Sequence, residues 1–168
     1  MKIYCDGSAE PNPGTGGWAF TYKTSDHWFV RWGCEEWTTN NRMEMMAVCM
    51  AIDYCGDQYD DITIYSDSTY VVNGMNSWMY SWEKKGWKKK GGEIKNLDLW
   101  KELFAMRKQY PHIKMEWVRG HSGVEGNELA DKYASNAGFH QYSGKKEIPF
   151  SVVAENSVIY KKALIGAL

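Results

Sequence analysis

Two short segments of this chain follow one pattern. Ile3-Tyr4-Cys5-Asp6-Gly7-Ser8 and Ile64-Tyr65-Ser66-Asp67-Ser68-Thr69 each run β-prone residues into an aspartate followed by small or hydroxyl residues. Each reads as a strand that ends at its acid. If the two strands are parallel neighbours in one sheet, both carboxylates emerge at the same edge, where open α/β sheets place their ligands. Two further acids, Glu44 and Asp131, also sit where the local sequence gives a carboxylate no structural reason to be. A metal site shared by all four is the first hypothesis.

Glu44 interrupts Met43-Glu44-Met45-Met46-Ala47-Val48-Cys49-Met50-Ala51-Ile52, a run otherwise apolar around the whole helical circumference. Such a helix is buried, and a lone carboxylate in it must be paired, protonated or coordinated. The structural alternative is an acid in the first turn, stabilised by the helix dipole, with Asn40 or Asn41 as the cap and Glu44 in capping-box range.

The chain has 168 residues, enough for one domain with a core of its own. A formal charge of −1 and a pI near 6.4 exclude a protein held on nucleic acid by net charge. The distribution matters more. Between Trp82 and Lys95 lysines cluster with interleaved tryptophans, a local basic footprint on a neutral body. Cys5, Cys34, Cys49 and Cys55 show no CxxC spacing and read as buried small hydrophobes. With no signal-peptide pattern and no membrane-length apolar stretch, the expectation is a cytoplasmic protein with no membrane partner.

The periodicities predict strands over 2–8, 18–22, 27–32, 62–66 and 113–118. Helices are predicted from about Asn40 to Cys55-Gly56, over 68–74, 76–82 and 96–104, and from about Glu125 to Ala137. The first three strands form an antiparallel meander, and the order implies an α/β layer architecture with helices packed on a mixed sheet. Gly144-Lys145-Lys146 reads as a loop, and 150–168 as a strand or helix laid over the core.

Taken together, these segments resemble type 1 ribonuclease H across roughly residues 3–138. The resemblance rests on Cys5-Asp6-Gly7-Ser8 with Asn12-Pro13-Gly14, Thr38-Thr39-Asn40-Asn41-Arg42-Met43-Glu44 and Ser66-Asp67-Ser68. It continues through Trp78 to Lys88, Asn96-Leu97-Asp98-Leu99-Trp100, and Trp117-Val118-Arg119-Gly120-His121-Ser122-Gly123 with Asn127-Glu128 and Asp131. Each motif alone is weak; their joint order and spacing carry the resemblance. It implies a five-stranded mixed sheet, three strands antiparallel and two further strands parallel. It also implies a catalytic domain over 1–138, with 139–168 a C-terminal extension packed on it.

By resemblance, Asp6, Glu44, Asp67 and Asp131 are the metal-binding carboxylates. Two like charges about 4 Å apart repel by about 4 kcal/mol at an effective dielectric near 20, so a bare cluster would protonate or open. Hard oxygen ligands suit Mg²⁺, with Mn²⁺ as the alternative, rather than zinc. Two such ions bound with substrate would activate the attacking water and stabilise the leaving 3′ oxygen, giving a 5′-phosphate and a 3′-hydroxyl. His121, in a glycine-flanked loop, would move a proton near neutral pH; its bland reading is a surface histidine.

The implied partner is an RNA–DNA hybrid, cut in its RNA strand by a protein acting as a monomer. Asn12, Asn40 and Asn41 would contact bases and 2′-hydroxyls through the minor groove, the hydroxyl being what separates RNA from DNA. Thr39 would hold a phosphate of the DNA strand. Thr69 departs from the family, where glutamine is frequent. Trp78, Trp82 and Trp87 with Lys84, Lys85, Lys88, Lys89 and Lys90 match the family's basic protrusion, which grips the DNA strand and would make binding salt-sensitive. The tryptophans are equally readable as core anchors. The rival functions are a hybrid-binding protein without turnover and a nuclease of the same fold acting on another nucleic acid, such as branched DNA.

Overall fold

A computed structural model of the protein describes residues 1–156. Its centre is a mixed sheet of β1 (Lys2–Ala9), β2 (Gly14–Lys23), β3 (His27–Thr38), β4 (Ile62–Ser66), β5 (Ile113–Trp117) and β6 (Gly144–Pro149), in spatial order β5-β4-β1-β2-β3-β6. β1, β4 and β5 are mutually parallel, while β1 to β2, β2 to β3 and β3 to β6 are antiparallel. The helices are α1 (Asn40–Cys55), α2 (Thr69–Asn73), α3 (Met79–Lys84), α4 (Leu97–Gln109), α5 (Glu125–His140) and α6 (Phe150–Asn156).

The period-two alternation of the strands builds a core on each face. Ile3, Cys5, Phe20 and Ile64 point to one side and pack under α1, α4 and the α2–α3 segment, with Ile52, Met75 and Trp100. Ala19, Trp28, Val30 and Trp32 point to the other and pack with Leu129, Ala134 and Ala137 of α5. Tyr4, between Ile3 and Cys5, joins that second cluster.

Three expectations are corrected. The described sheet has six strands, not five, and Gly144-Lys145-Lys146, read above as a loop, belongs to the sixth. β6 pairs with β3 from His27↔Pro149 to Trp32↔Gly144, and His27 Nε2 lies 3.2 Å from Glu147 of β6. A 12-residue β3 would otherwise leave a row of backbone N–H and C=O groups unpaired at the sheet's edge. The sequence signal is faint because only Ile148 of this strand is buried, and Lys145 and Lys146 stand in solvent.

The two helical patterns expected on either side of Met75 form one unbroken segment. A π-helical turn over Gly74–Trp78 joins α2 to α3. The strand-or-helix expectation for 150–168 agrees with a helix over Phe150–Asn156, and 157–168 lie outside the described residues. No helix among the described residues is long and apolar enough to cross a membrane.

Candidate active site

The sheet's register explains why acids distant in sequence meet. β1 and β4 pair in parallel from Lys2↔Thr63 to Cys5↔Ser66, and there the pairing stops. Asp6 and Asp67 are the residues that follow this last pair, so their carboxylates stand at one level. Asp6 is not the end of its strand, however. β1 continues to Ala9 along β2, with Asp6 opposite Ala19. The acid marks where β1 loses one neighbour and keeps the other.

Glu44 arrives from α1. Thr39, rather than either asparagine, caps this helix, its hydroxyl accepting from the Arg42 N–H at 3.2 Å. Glu44 therefore lies beyond the first turn and outside capping-box range. Its carboxylate turns inward, where the Ser66 hydroxyl donates to Oε2 at 3.4 Å. Gly7 makes the approach possible, because a Cβ there would stand 2.2 Å from the Met43 carbonyl carbon and 2.4 Å from the Glu44 nitrogen. Asp6, Glu44 and Asp67 each offer an oxygen within 4.8 Å of the other two. Asp131, half-buried on α5, stands outside that triad, yet its charge acts on both Asp6 and Asp67.

Burial pushes the Asp6 carboxyl far above the ordinary carboxylate range, and the charge of Glu44 adds to it. Burial raises Glu44 as well, while its hydrogen bond with Asp6 works in the opposite direction. Burial and like charge together thus favour a proton shared by the two groups. Asp67 is raised by burial, against a hydrogen bond from Asn127 and the neighbouring His121, which lower it. These shifts have the signature of too much negative charge in too little water.

The donor set fits hard divalent cations. It consists of carboxylate oxygens, and the nearby Cys5 thiol is held protonated by its burial and is bonded to the Ala47 carbonyl.

Residues that sequence reasoning passed over hold Asp67 in place. The indole N–H of Trp117 donates to the Asp67 backbone carbonyl at 3.1 Å. Asn127 is 2% exposed, hydrogen-bonds the Asp67 side chain, and keeps Oδ1 without a protein partner. Gly120 passes so close that a Cβ there would meet Asp67 Oδ2 at 2.7 Å. All three lie in motifs quoted above, but nothing local in the sequence says that they converge on Asp67. His121 is exposed in the loop between β5 and α5, with φ of 53°.

Beside this centre is a polar corner. The Asn40 side-chain carbonyl accepts from the Ala9 N–H at 2.6 Å, and the Asn40 N–H donates to Asn12 Oδ1 at 3.1 Å. These bonds bolt the end of β1 to the start of α1 and leave Asn12, Asn40 and Asn41 exposed. Thr69 is exposed at the start of α2, which Ser68 caps.

The lysine-rich segment stands on aromatic packing. Trp82 lies edge-on to the buried Trp100 at 5.9 Å, Trp87 edge-on to Phe104 at 5.6 Å, and Trp78 is tilted against Trp82 at 6.1 Å. Trp82 and Trp87 are half-buried, Trp78 more exposed, and Lys84, Lys85, Lys88, Lys89 and Lys90 all stand in solvent. Trp78, Trp82, Lys89 and Lys95 share a cleft of about 440 Å³ with Tyr70 and Ile94.

The RNase H family model matches residues 1–138. A Ribonuclease H of Chromohalobacter salexigens is 41% identical over 138 residues, covering 82% of this chain and 83% of that protein. The crystal structure of LC9-RNase H1, described as a type 1 RNase H with the type 2 active-site motif, superposes with a TM-score of 0.77. It is 29% identical, over 96% of this chain and 83% of that one. A foamy viral protease-reverse transcriptase in complex with RNA/DNA hybrid shares the fold, with a TM-score of 0.69 and 22% identity, over 83% of this chain and 20% of that one. With an acidic triad where the parallel pairing of β1 and β4 ends and a family match spanning most of the sequence, the chain belongs to the ribonuclease H family and is a ribonuclease.

Proposed function

We propose that the protein is an endonuclease that hydrolyses the RNA strand of RNA–DNA hybrids with two divalent cations, Mg²⁺ or Mn²⁺, leaving a 5′-phosphate and a 3′-hydroxyl. The observation that carries this reading is the convergence of Asp6, Glu44 and Asp67 on one small volume, with Asp131 beside it. Binding alone gives no reason to gather carboxylates where a polyanion must approach. Bound cations supply the charge that the cluster lacks and the Lewis acidity that phosphodiester hydrolysis needs.

The chain's own residues divide the remaining work. Asp6, Glu44, Asp67 and Asp131 hold the cations and fix where the scissile phosphate sits. His121, exposed and close enough to act electrostatically on Asp67, takes or gives the proton at the reacting oxygens. With its side-chain carbonyl occupied by Ala9, Asn40 uses its amide donors, together with Asn12, Asn41 and Thr69, to read ribose hydroxyls. Thr39 and the protrusion hold the DNA strand through its phosphates, Lys84, Lys85, Lys88, Lys89 and Lys90 supplying charge and Trp78, Trp82 and Trp87 the platform.

Residues 1–138 form the catalytic unit, and 139–168 are an extension of it whose described part adds β6 and α6 to the same domain. The enzyme acts as a monomer, and its four free cysteines fit a reducing, cytoplasmic setting. The test is cleavage of sequence-matched hybrid, double-stranded RNA and double-stranded DNA, with Mg²⁺ and with chelator, followed by analysis of the product ends. Cleavage of hybrid RNA alone, dependent on metal and ending in 5′-phosphate, is expected. Turnover in chelator or equal cleavage of all three duplexes would overturn the reading.

A further inference from the structure

Two of the three clustered carboxylates stand on backbone that regular structure already fixes. Asp6 lies within β1, opposite Ala19 of β2, and Glu44 lies within α1. Asp67 has neither support. β4 ends at Ser66, where its pairing with β1 closes at Cys5↔Ser66 and its pairing with β5 at Ser66↔Trp117, while α2 begins only at Thr69. A bond from the Val118 N–H to the Ser66 carbonyl, at 3.0 Å, closes the ladder. The Asp67 carbonyl is the next along the chain, past the end of the sheet.

The indole of Trp117 takes the place of the missing ladder donor. Its N–H reaches the Asp67 carbonyl at 3.1 Å, across 50 residues of sequence. With 51% of its surface in water, Trp117 is not explained by burial of its ring. What the position gains from a tryptophan is a rigid donor at the right reach.

Asn127 and Trp117 then fix this acid in different ways. Asn127 bonds the carboxylate itself, whereas Trp117 bonds the main chain and leaves both carboxylate oxygens free. An aspartate side chain is short, so a tilt of its peptide plane passes directly to the carboxylate. The three acids offer oxygens within 4.8 Å of one another, and cations that demand near-ideal octahedral geometry tolerate little error in such spacing.

We infer that Trp117 is a positioning residue of the cation site, its indole N–H standing in for the absent strand partner of Asp67 and setting where that carboxylate meets the cations. This rests on the metal-dependent reading above and adds the group that holds its least supported acid.

The test uses two variants and a control. Trp117→Phe keeps an aromatic ring and removes the donor, and Trp117→Ala removes both. Phe139→Ala deletes an aromatic 84% exposed at the end of α5. Mg²⁺ affinity is measured by calorimetry on chelator-stripped protein without nucleic acid, the thermal midpoint in chelator, and KM and kcat on hybrid with saturating Mg²⁺.

Trp117→Phe should weaken Mg²⁺ binding by about tenfold and lower kcat by about tenfold, the low end for loss of a group that orients a metal ligand. KM for hybrid should change by less than about twofold, the interaction lost being one that serves the reacting centre rather than substrate binding. The midpoint should fall by no more than about 4 °C, as for one hydrogen bond in a protein of this size. Trp117→Ala should match Trp117→Phe in Mg²⁺ affinity, because the donor and not the ring acts on Asp67. Phe139→Ala should match wild type throughout.

Unchanged Mg²⁺ affinity and kcat in Trp117→Phe, or a loss that appears only in Trp117→Ala, overturns the inference and leaves the enzymatic reading intact. So does a fall in activity that merely follows the fraction of unfolded protein. A wild type that binds no divalent cation and cuts no hybrid overturns both.

Discussion

The carboxylate centre and the lysine-rich segment between α3 and α4 both concentrate like charges, and the chain treats them in opposite ways. Asp6 and Glu44 are 5% and 9% exposed on a central strand and a buried helix, whereas Lys88, Lys89 and Lys90 stand in water on a loop. Buried like charges repel strongly and must be held together by the scaffold, while solvated ones are screened and need no holding.

The glycines show the same division. Gly7 is needed for close approach, since a Cβ there would strike the backbone at Met43. Gly91 and Gly92 have nothing within 4 Å and serve the left-handed backbone of the loop, with φ of 92° and 135°. One region holds its charges in a buried frame; the other spreads them over a solvated surface that stands on an aromatic base.

The largest effect that would sharpen this contrast is Asp67→Asn. It should lower kcat by about 10³-fold or more, as removal of a group acting mainly in the transition state does. It should leave the thermal midpoint in chelator equal to or above that of wild type, because one repulsive charge is gone. A marked loss of stability would mean that the acid is structural and the contrast misdrawn.

His121→Ala comes next. It should cut kcat by about 10²-fold, with measurable turnover remaining. An activity loss equal to that of Asp67→Asn would erase the distinction between the acids and the loop histidine.

Neutralising Lys88, Lys89 and Lys90 to Ala should weaken hybrid binding by about tenfold at low salt and flatten the salt dependence by about two counterions. Because those lysines are solvated, the thermal midpoint should not move. An unchanged salt slope would remove the loop from the binding surface.

The smallest effect is on pH. Asp6, Glu44 and Asp67 are all raised, chiefly by burial, so the folded protein holds protons that the unfolded chain has already released. Stability present below the ordinary carboxylate range is therefore lost as pH climbs toward the raised values. Asp98 titrates the other way, held low by its hydrogen bond to Arg42, but below this window. Between pH 5 and pH 8 in chelator the melting temperature should fall by about 3 °C, and Mg²⁺ should flatten the slope by neutralising the cluster. A midpoint that rises over this interval would contradict the assignment of the shifts.

Much of the centre was legible because its signals are local. Strand propensity followed by an acid marks Asp6 and Asp67, and a charge in an otherwise apolar helix marks Glu44. What was not legible depends on partners. That Asp6 sits mid-strand follows from β1 losing β4 while keeping β2. β6 exists because β3 has an open edge, and its own residues, with two solvent-facing lysines, scarcely announce a strand. Thr39 rather than Asn40 caps α1, the Asn40 side chain being drawn into holding the end of β1.

By itself the sequence determined the element types, the α/β class, the acids worth attention and the basic segment, all of which follow from periodicity and local chemistry within a few residues. Only the tertiary structure decided that three carboxylates share one volume with Asp131 beside them, that Asn127 and Trp117 hold Asp67, and that the sheet takes a sixth strand. Those outcomes depend on register and on close approach between segments dozens of residues apart. Pairing across such distances is fixed by the packing of the whole core rather than by any segment's own preference.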